Sequence, residues 1–444
     1  MSAAQPRTDR NGWWVVVGGS VLLTLQTGFI MNAFGAYLVA ITADTGWAPG
    51  VISLGYAILQ LGNGFLAPIT GWCCARFGTR AVSRTGTLLV AAGFALAALV
   101  GEESQFIGAV IVIALGCSAA GIMPLTVAVV QTIKERRTLA LGLLPTGIAV
   151  GGLVVPLVTW ALDGYGWRTT FLGVAAVIVL VSIPTSSVLP NDRVERAPVK
   201  KQKAPPADGH DLRSAMHTST FWMLILGHGS ALVAVSAVNL HLVPLMTHHH
   251  GIALSTAGLT VAIMSTTQLL GQVVTGLIGD RVDKRWFAAC CMVVQTGVLL
   301  VLATVSDVGL VVAAAAVHGI AWGLRGPVMT AMRADYFGTA SFGTIIGWSM
   351  GFVSIGLVVG PLLVTAIEGG PGGYPWAFVA LAMVTFVGAV TFAVLRRPRA
   401  WCCARARRRR PGPRPGAGPA GGHREADPSG RRWLRRSGRA GRAR

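Results

Sequence analysis

Polar residues divide this chain into long uninterrupted apolar stretches. Twelve of them lie near 13–37, 51–74, 81–100, 105–130, 139–162, 169–189, 220–246, 254–279, 286–305, 308–331, 342–367 and 374–395. A helix crossing the hydrocarbon core of a bilayer needs about 20 predominantly apolar residues, and each stretch meets that length. Lipid offers no partner to backbone N–H and C=O groups, so only helices or a closed barrel satisfy them there. Apolarity that is continuous rather than alternating selects helices. The first stretch is too long for a cleaved leader and no small-residue cleavage site follows it, so it is expected to be the first span.

Composition agrees and removes other classes. The chain is 53% hydrophobic and 12% charged, with a mean hydropathy of +0.61. Soluble domains carry about a quarter of their residues charged, which excludes a soluble enzyme. The net charge of +20 would suggest a nucleic-acid partner, but its position argues otherwise. From Arg396 onward there are 17 Arg against two acids, Glu425 and Asp427, whereas residues 1–395 hold 20 bases and 15 acids. The body is nearly neutral. The segment 396–444 reads as a disordered cytoplasmic tail, either engaging anionic lipid head groups or arising from a shifted GC-rich reading frame.

Loop charges set the orientation. The N-terminus and the even-numbered connections hold Arg76, Arg80, Arg84, Lys134, Arg136, Arg137, the bases from Arg193 to Arg213, Arg281, Lys284, Arg285 and Arg333. The odd connections hold Asp44, Glu102, Glu103, Asp163, Asp307 and Glu368, with Arg168 as their one base. Of the 20 bases outside the tail, 18 fall on one side. Bases gather on the cytoplasmic side, so both termini are expected there, in a multi-pass protein of the inner (plasma) membrane.

The chain repeats itself. The polar stretch 190–219 reads as a cytoplasmic linker between two six-helix halves, 1–189 and 220–395. At an offset of 205 residues, Gly46 matches Gly251, Gly71 matches Gly276, Arg76 matches Arg281, Arg80 matches Arg285, Gly151 matches Gly356 and Pro156 matches Pro361. Parallel six-helix repeats imply halves related by an axis along the membrane normal, with a substrate path between them.

At these residues the chain resembles the major facilitator superfamily. The signature after the second helix appears as Gly71, Arg76, Gly78 and Arg80, with Ala75 where the pattern has an acid. Its copy after the eighth appears as Gly276, Asp280, Arg281 and Arg285, with Asp283 where the pattern has a glycine. The resemblance implies an all-α fold of twelve transmembrane helices and a cytoplasmic gate built from these two sets, Asp280 carrying the larger share because Ala75 cannot. The alternative is that the arginines serve only orientation. Short stretches at Arg136–Gly142, Trp167–Arg168, Phe221–Trp222 and Asp335–Gly343 look like the monocarboxylate and oxalate–formate transporter groups. That likeness implies a secondary transporter moving a small mono- or dicarboxylate by alternating access, not an enzyme.

Ionisable groups inside a membrane are costly and are functional candidates by default. No Asp or Glu falls inside a predicted span, and Arg325 in the tenth is the lone cation there. His318, Trp322 and Arg325 stand at i, i+4 and i+7 and share a face. An arginine fork suits a carboxylate; the competing reading is a side chain snorkelling to the interface. Asn239 and His241 in the seventh helix, Gln268 and Gln272 in the eighth and Asn32 in the first complete the candidate substrate site, though each amide also serves as helix glue. With no acid available, proton coupling would fall to His228, His241, His318 or the substrate, so proton symport and anion exchange both remain open. The remaining alternatives are an exporter of amphipathic compounds and a non-transporting membrane sensor. His248, His249 and His250 form a tract without metal geometry, the cysteines lack ligand spacing, and no nucleotide-binding loop is present. No metal, cofactor or nucleic acid is expected; the partners are the organic anion, protons or a counter-anion, and the bilayer around a functional monomer.

Overall fold

The computed structural model describes residues 9–133, 137–191, 211–279, 281–338 and 342–396. Met1–Pro398 forms one compact unit, and a second, Arg399–Arg444, lies outside the described residues together with the tail assigned to it. Every element described is helical.

In the N-terminal half, α1 (Asp9–Gln26) runs through a π turn (Thr27–Asn32) into α2 (Phe34–Thr45). Next come α3 (Pro49–Phe65) and α4 (Ala67–Phe77), then α5 (Thr79–Leu99), then α6 (Glu103–Ala120) with α7 (Ile122–Thr132). The fifth crossing is assembled from α8 (Arg137–Leu143), α9 (Thr146–Val150), a 3-10 turn (Gly151–Val154) and the start of α10 (Val155–Thr185). A short helix, α11 (Leu212–Met216), is capped by Asp211 and closes the described part of the linker. The C-terminal half holds α12 (Ser219–Pro244) with a π turn (Leu245–His249), α13 (Leu254–Ile278), α14 (Lys284–Thr304) and α15 (Val308–Phe337). It ends with α16 (Phe342–Val353), α17 (Ile355–Glu368) and α18 (Gly373–Val394).

Among the described residues, ten helical runs are long and apolar enough to cross a membrane, or eleven if α3 and α4, bent by 52°, count as one. One run, Leu139–Val188, has 50 residues, about 75 Å at 1.5 Å per residue and more than twice a hydrocarbon core. Gly166, at φ 72°, turns the chain inside it, and counting the two arms separately brings the total to twelve. The other breaks coincide with residues that cannot continue a helix. Pro68 at the start of α4, Pro145 before α9 and Pro156 at the start of α10 each lack the N–H that an unbroken ladder requires.

The repeat is visible in the backbone. Gly46 and Gly251 both sit at positive φ, 72° and 65°, after the helices they end. The break before Gly151 in the fifth crossing has its counterpart at Ser354 between α16 and α17. Gly151 packs against Thr27 of the first crossing of its half, and Gly356 against the Gly229 carbonyl of the first crossing of the other. These glycines therefore seat helices within each half.

The halves meet through α2 with α12, α3 with α17, α10 with α13, and, at mid-depth, α9 and the 3-10 turn Gly151–Val154 with α13. The contacts made by α2, by the start of α3 and by α10 lie toward the face holding Asp44, Gly251 and Gly369, called distal below. The segments nearest the opposite, proximal face, α4 and α8, pack within their own half. Gly35 approaches the Leu240 carbonyl so closely that an added Cβ would lie 2.4 Å from it, a contact only glycine permits.

Candidate functional site

Among the described residues, the buried arginine and histidine side chains all belong to the C-terminal half and gather mainly at two places. The first lies inside that half, between α12, α14, α15 and α16. Arg325 is 1% exposed and stands 12 residues from the end of α15, about 18 Å along the axis. It does not snorkel. Its Nη1 donates to Gln295 Oε1 at 3.1 Å and lies 2.9 Å from Met292 Sδ, both on α14, while its Nε has no partner.

Arg333, expected in the tenth connection as a topology marker, is instead inside α15 and also 1% exposed. Its Nε donates to Ser349 Oγ at 2.9 Å, its Nη1 to the Met329 carbonyl at 3.2 Å, and its Nη2 to His228 Nδ1 at 2.8 Å. A guanidinium has no lone pair to offer, so His228 accepts through a bare Nδ1 and carries its hydrogen on Nε2. His228 also lies within electrostatic reach of Arg325. Among the described residues, no carboxylate comes within ion-pair distance of either arginine. Two guanidinium groups in a dry setting without a counter-charge are a strong electrostatic demand for an anion.

His318 is fully buried and neither ring nitrogen has a hydrogen-bond partner, whereas Trp322 on the same face is half-buried. Gln268 is buried in α13 and Gln272 one turn on is half-buried; Asn32 is buried in the first π turn. No described hydrogen bond joins these side chains to Arg325. α15 is held against α13 by close backbone approach, where a Cβ at Gly319 would meet the Met264 carbonyl at 2.0 Å and one at Gly323 the Gln268 carbonyl at 2.0 Å, and by Thr267 and Thr275, which donate to the Ala316 and Leu324 carbonyls at 2.8 and 2.7 Å.

The second place is the distal contact between the halves, which takes Asn239 and His241 away from Arg325. Asn239 interacts with the Tyr56 hydroxyl of α3. His241 is fully buried; its Nε2 lies 3.1 Å from the Pro361 carbonyl and 3.3 Å from Thr365 Oγ1, and its Nδ1 lies 3.5 Å from Glu368 Oε2. Glu368, expected in a loop, is the last residue of α17, its side chain 10% exposed. The spans therefore do contain one largely covered acid. Its position one turn after Thr365 was the available signal.

The signature arginines act within halves. Arg80 Nε donates to the Leu189 carbonyl at 2.8 Å, tying the start of α5 to the end of the sixth crossing. Its repeat partner Arg285 donates to the Phe392 carbonyl at 3.2 Å and to the Ala393 carbonyl, tying α14 to α18. Arg76 is exposed and stacks over Trp72 and Phe77, and Arg281 is exposed. A Cβ added at Gly71 would lie 3.2 Å from Met123 Cε, and one at Gly276 would meet open space. Asp280 lies outside the described residues. Asp283, the departure from the glycine of the pattern, accepts from the Arg285 N–H at 3.0 Å and caps α14, a role glycine cannot fill.

Comparison with known proteins agrees with this architecture. The chain is 25% identical over 417 residues to monocarboxylate transporter 13 of Bos taurus, covering 90% of this chain and 92% of that one. It is 22% identical over 396 residues to the gentisate transporter of Corynebacterium glutamicum, covering 87% and 85%. A crystal structure of a bacterial homolog of the human lysosomal transporter Spinster, inward-facing and occupied, superposes with a TM-score of 0.67 at 14% identity, covering 88% of this chain and 97% of that one. The family model described as Major Facilitator Superfamily matches residues 20–243 and 224–433. With an internal repeat at a fixed offset and family-model matches over most of its length, the chain belongs to the Major Facilitator Superfamily of membrane transporters.

Proposed function

We propose that this transporter moves a small organic anion, a mono- or dicarboxylate, across the plasma membrane by alternating access, coupled to protons or to a counter-anion. The observation that carries the reading is the pair of buried arginines, Arg325 and Arg333, without a carboxylate partner among the described residues. A carboxylate entering between α12 and α15 supplies the missing charge, and the free Nε of Arg325 offers it a donor. Two relatives whose names specify a monocarboxylate and gentisate support the same substrate chemistry. The excess of bases on the proximal side makes that face cytoplasmic, and the closed distal contact then corresponds to a carrier open inward.

The test is uptake of labelled carboxylates, gentisate and short monocarboxylates included, into proteoliposomes with and without a pH gradient. Flux that collapses in Arg325→Ala supports the assignment. Absence of carboxylate flux, or unchanged flux in that variant, refutes it and favours an exporter of amphipathic compounds. The gate is proposed separately: Asp280→Asn slows transport while leaving equilibrium binding in place, and wild-type rates in that variant remove Asp280 from the gate.

A further inference from the structure

The distal contact holds a pair of atoms that only a proton can reconcile. Thr365 Oγ1 donates to Ser53 Oγ at 2.7 Å, joining α17 of one half to α3 of the other. That hydrogen is committed, so Thr365 can only accept from His241, whose Nε2 lies 3.3 Å away. The Pro361 carbonyl, 3.1 Å from the same nitrogen, is also an acceptor only. Both contacts require the hydrogen on Nε2. A neutral His241 is thereby left with a bare lone pair on Nδ1, and that nitrogen faces Glu368 Oε2 at 3.5 Å. Neither atom has any other hydrogen-bond partner, and both are buried.

Without a proton, the Nδ1 lone pair and Oε2 confront each other as buried atoms, each lacking the donor it had in solvent, while the Tyr374 hydroxyl serves the carboxyl group of Glu368. We propose that His241 and Glu368 form a proton-binding site that couples proton uptake to closure of the distal face. One proton adds to Nδ1 or to Oε2, and the shared hydrogen completes a bond between them; the pair passes from a net charge of −1 to zero. When the halves part at this face, water reaches both groups and satisfies them separately, so the separated state has no need of that proton. Closure and proton binding therefore favour each other, as linkage requires. Thr365 and Glu368 stand three residues apart on α17, so the helix that meets the opposite half also carries the acid.

The remaining ionisable groups nearby do not replace this pair. From α18, Tyr374 lies with its ring 5.9 Å from that of His241, and its hydroxyl interacts with Glu368. From α3 come Ser53 and, one turn on, Tyr56, which is engaged by Asn239. At the end of α2, Asp44 is held by Arg168. In the π turn after α12, His248 and His249 are exposed and His250 is half-buried.

This inference names the coupling ion of the transport reading and rests on it, but one arm of its test needs no substrate. Spin labels carried on unnatural amino acids at Ala48 and Gly369, both exposed beside the contact, leave every native cysteine in place. In the full-length protein in lipid nanodiscs, the ratio of short to long distal distances should fall about tenfold per pH unit on the alkaline side of the transition, the signature of a single proton. In Glu368→Gln the amide N–H donates to the bare Nδ1 and imitates the bound proton, so the short distance persists at every pH. In proteoliposomes the same variant exchanges carboxylate but no longer responds to an imposed pH gradient. A wild-type distance that ignores pH, or a Glu368→Gln variant that follows the wild-type curve, overturns the proposal. A pH-dependent distance in a protein that moves no carboxylate upholds the proton site and refutes only the anion reading.

Discussion

Replacing Arg325 separates a functional arginine from a structural one, because the two roles predict opposite signs for stability. Arg325 is buried, its Nε is unpartnered, and the one side-chain oxygen it reaches is Gln295 Oε1. An uncompensated buried charge costs several kcal/mol even after relaxation. Removing it with Arg325→Met recovers part of that cost but strips Gln295 of its donor, a loss of about 1–3 kcal/mol. The single variant should therefore change stability little. Gln295→Met added to it removes the stranded amide as well, and the double variant should be more stable than wild type by about 1–3 kcal/mol. Its unfolding midpoint, followed by a thiol-reactive dye or by intrinsic tryptophan fluorescence in detergent, should rise by several degrees. Uptake should move the other way. One charge-assisted hydrogen bond to a carboxylate is worth about 1.5–3 kcal/mol, so carboxylate affinity should fall about 10- to 150-fold. A double variant that melts below wild type while transporting normally would refute the reasoning and make Arg325 part of the scaffold.

Arg333→Lys keeps the charge but cannot hold Ser349, Met329 and His228 together as the guanidinium does; uptake KM should rise about tenfold, measured against Arg333→Ala in the same vesicles. Gly323→Ala places a methyl carbon 2.0 Å from a backbone carbonyl and should destabilise by about 1–3 kcal/mol, whereas Gly326→Ala, with open space around it, should leave the melting midpoint unchanged. The Trp167 indole N–H and Arg168 donate to Asp44 Oδ2, both at 2.8 Å, and hold its carboxyl below the ordinary value of 3.8, the indole bond first and the Arg168 bond next. A lowered folded-state value stabilises above the unfolded one and is lost as pH falls through the folded one. Thermal stability should thus be insensitive to this carboxyl above about pH 5, and Asp44→Asn should flatten the acid-side decline below it.

The legible parts of the fold are those written in single residues or local runs. Twelve apolar stretches and the split of bases between loops follow from the cost of polar groups in lipid, and the 205-residue offset is read from residue matches. The candidate site was legible only where a charge falls inside a long apolar run, as for Arg325, six residues from the end of the stretch 308–331. Arg333 and Glu368 escaped because each stands near the end of a span, where the same sequence suits a loop as well as a helix. Asp283 was recorded as a departure from a pattern, and its capping of α14 appears once the helix start is known.

By itself, then, the sequence determined a two-fold repeated helical membrane protein, since lipid tests each segment separately for length and polarity. Which polar groups share a site was decided by tertiary structure alone. Arg325 turns to Gln295, Arg333 to His228, and His241 to Glu368, over separations of 30, 105 and 127 residues. Periodicity places a side chain on a face of its own helix, but the neighbour opposite that face depends on how the helices pack, and no local pattern carries that information.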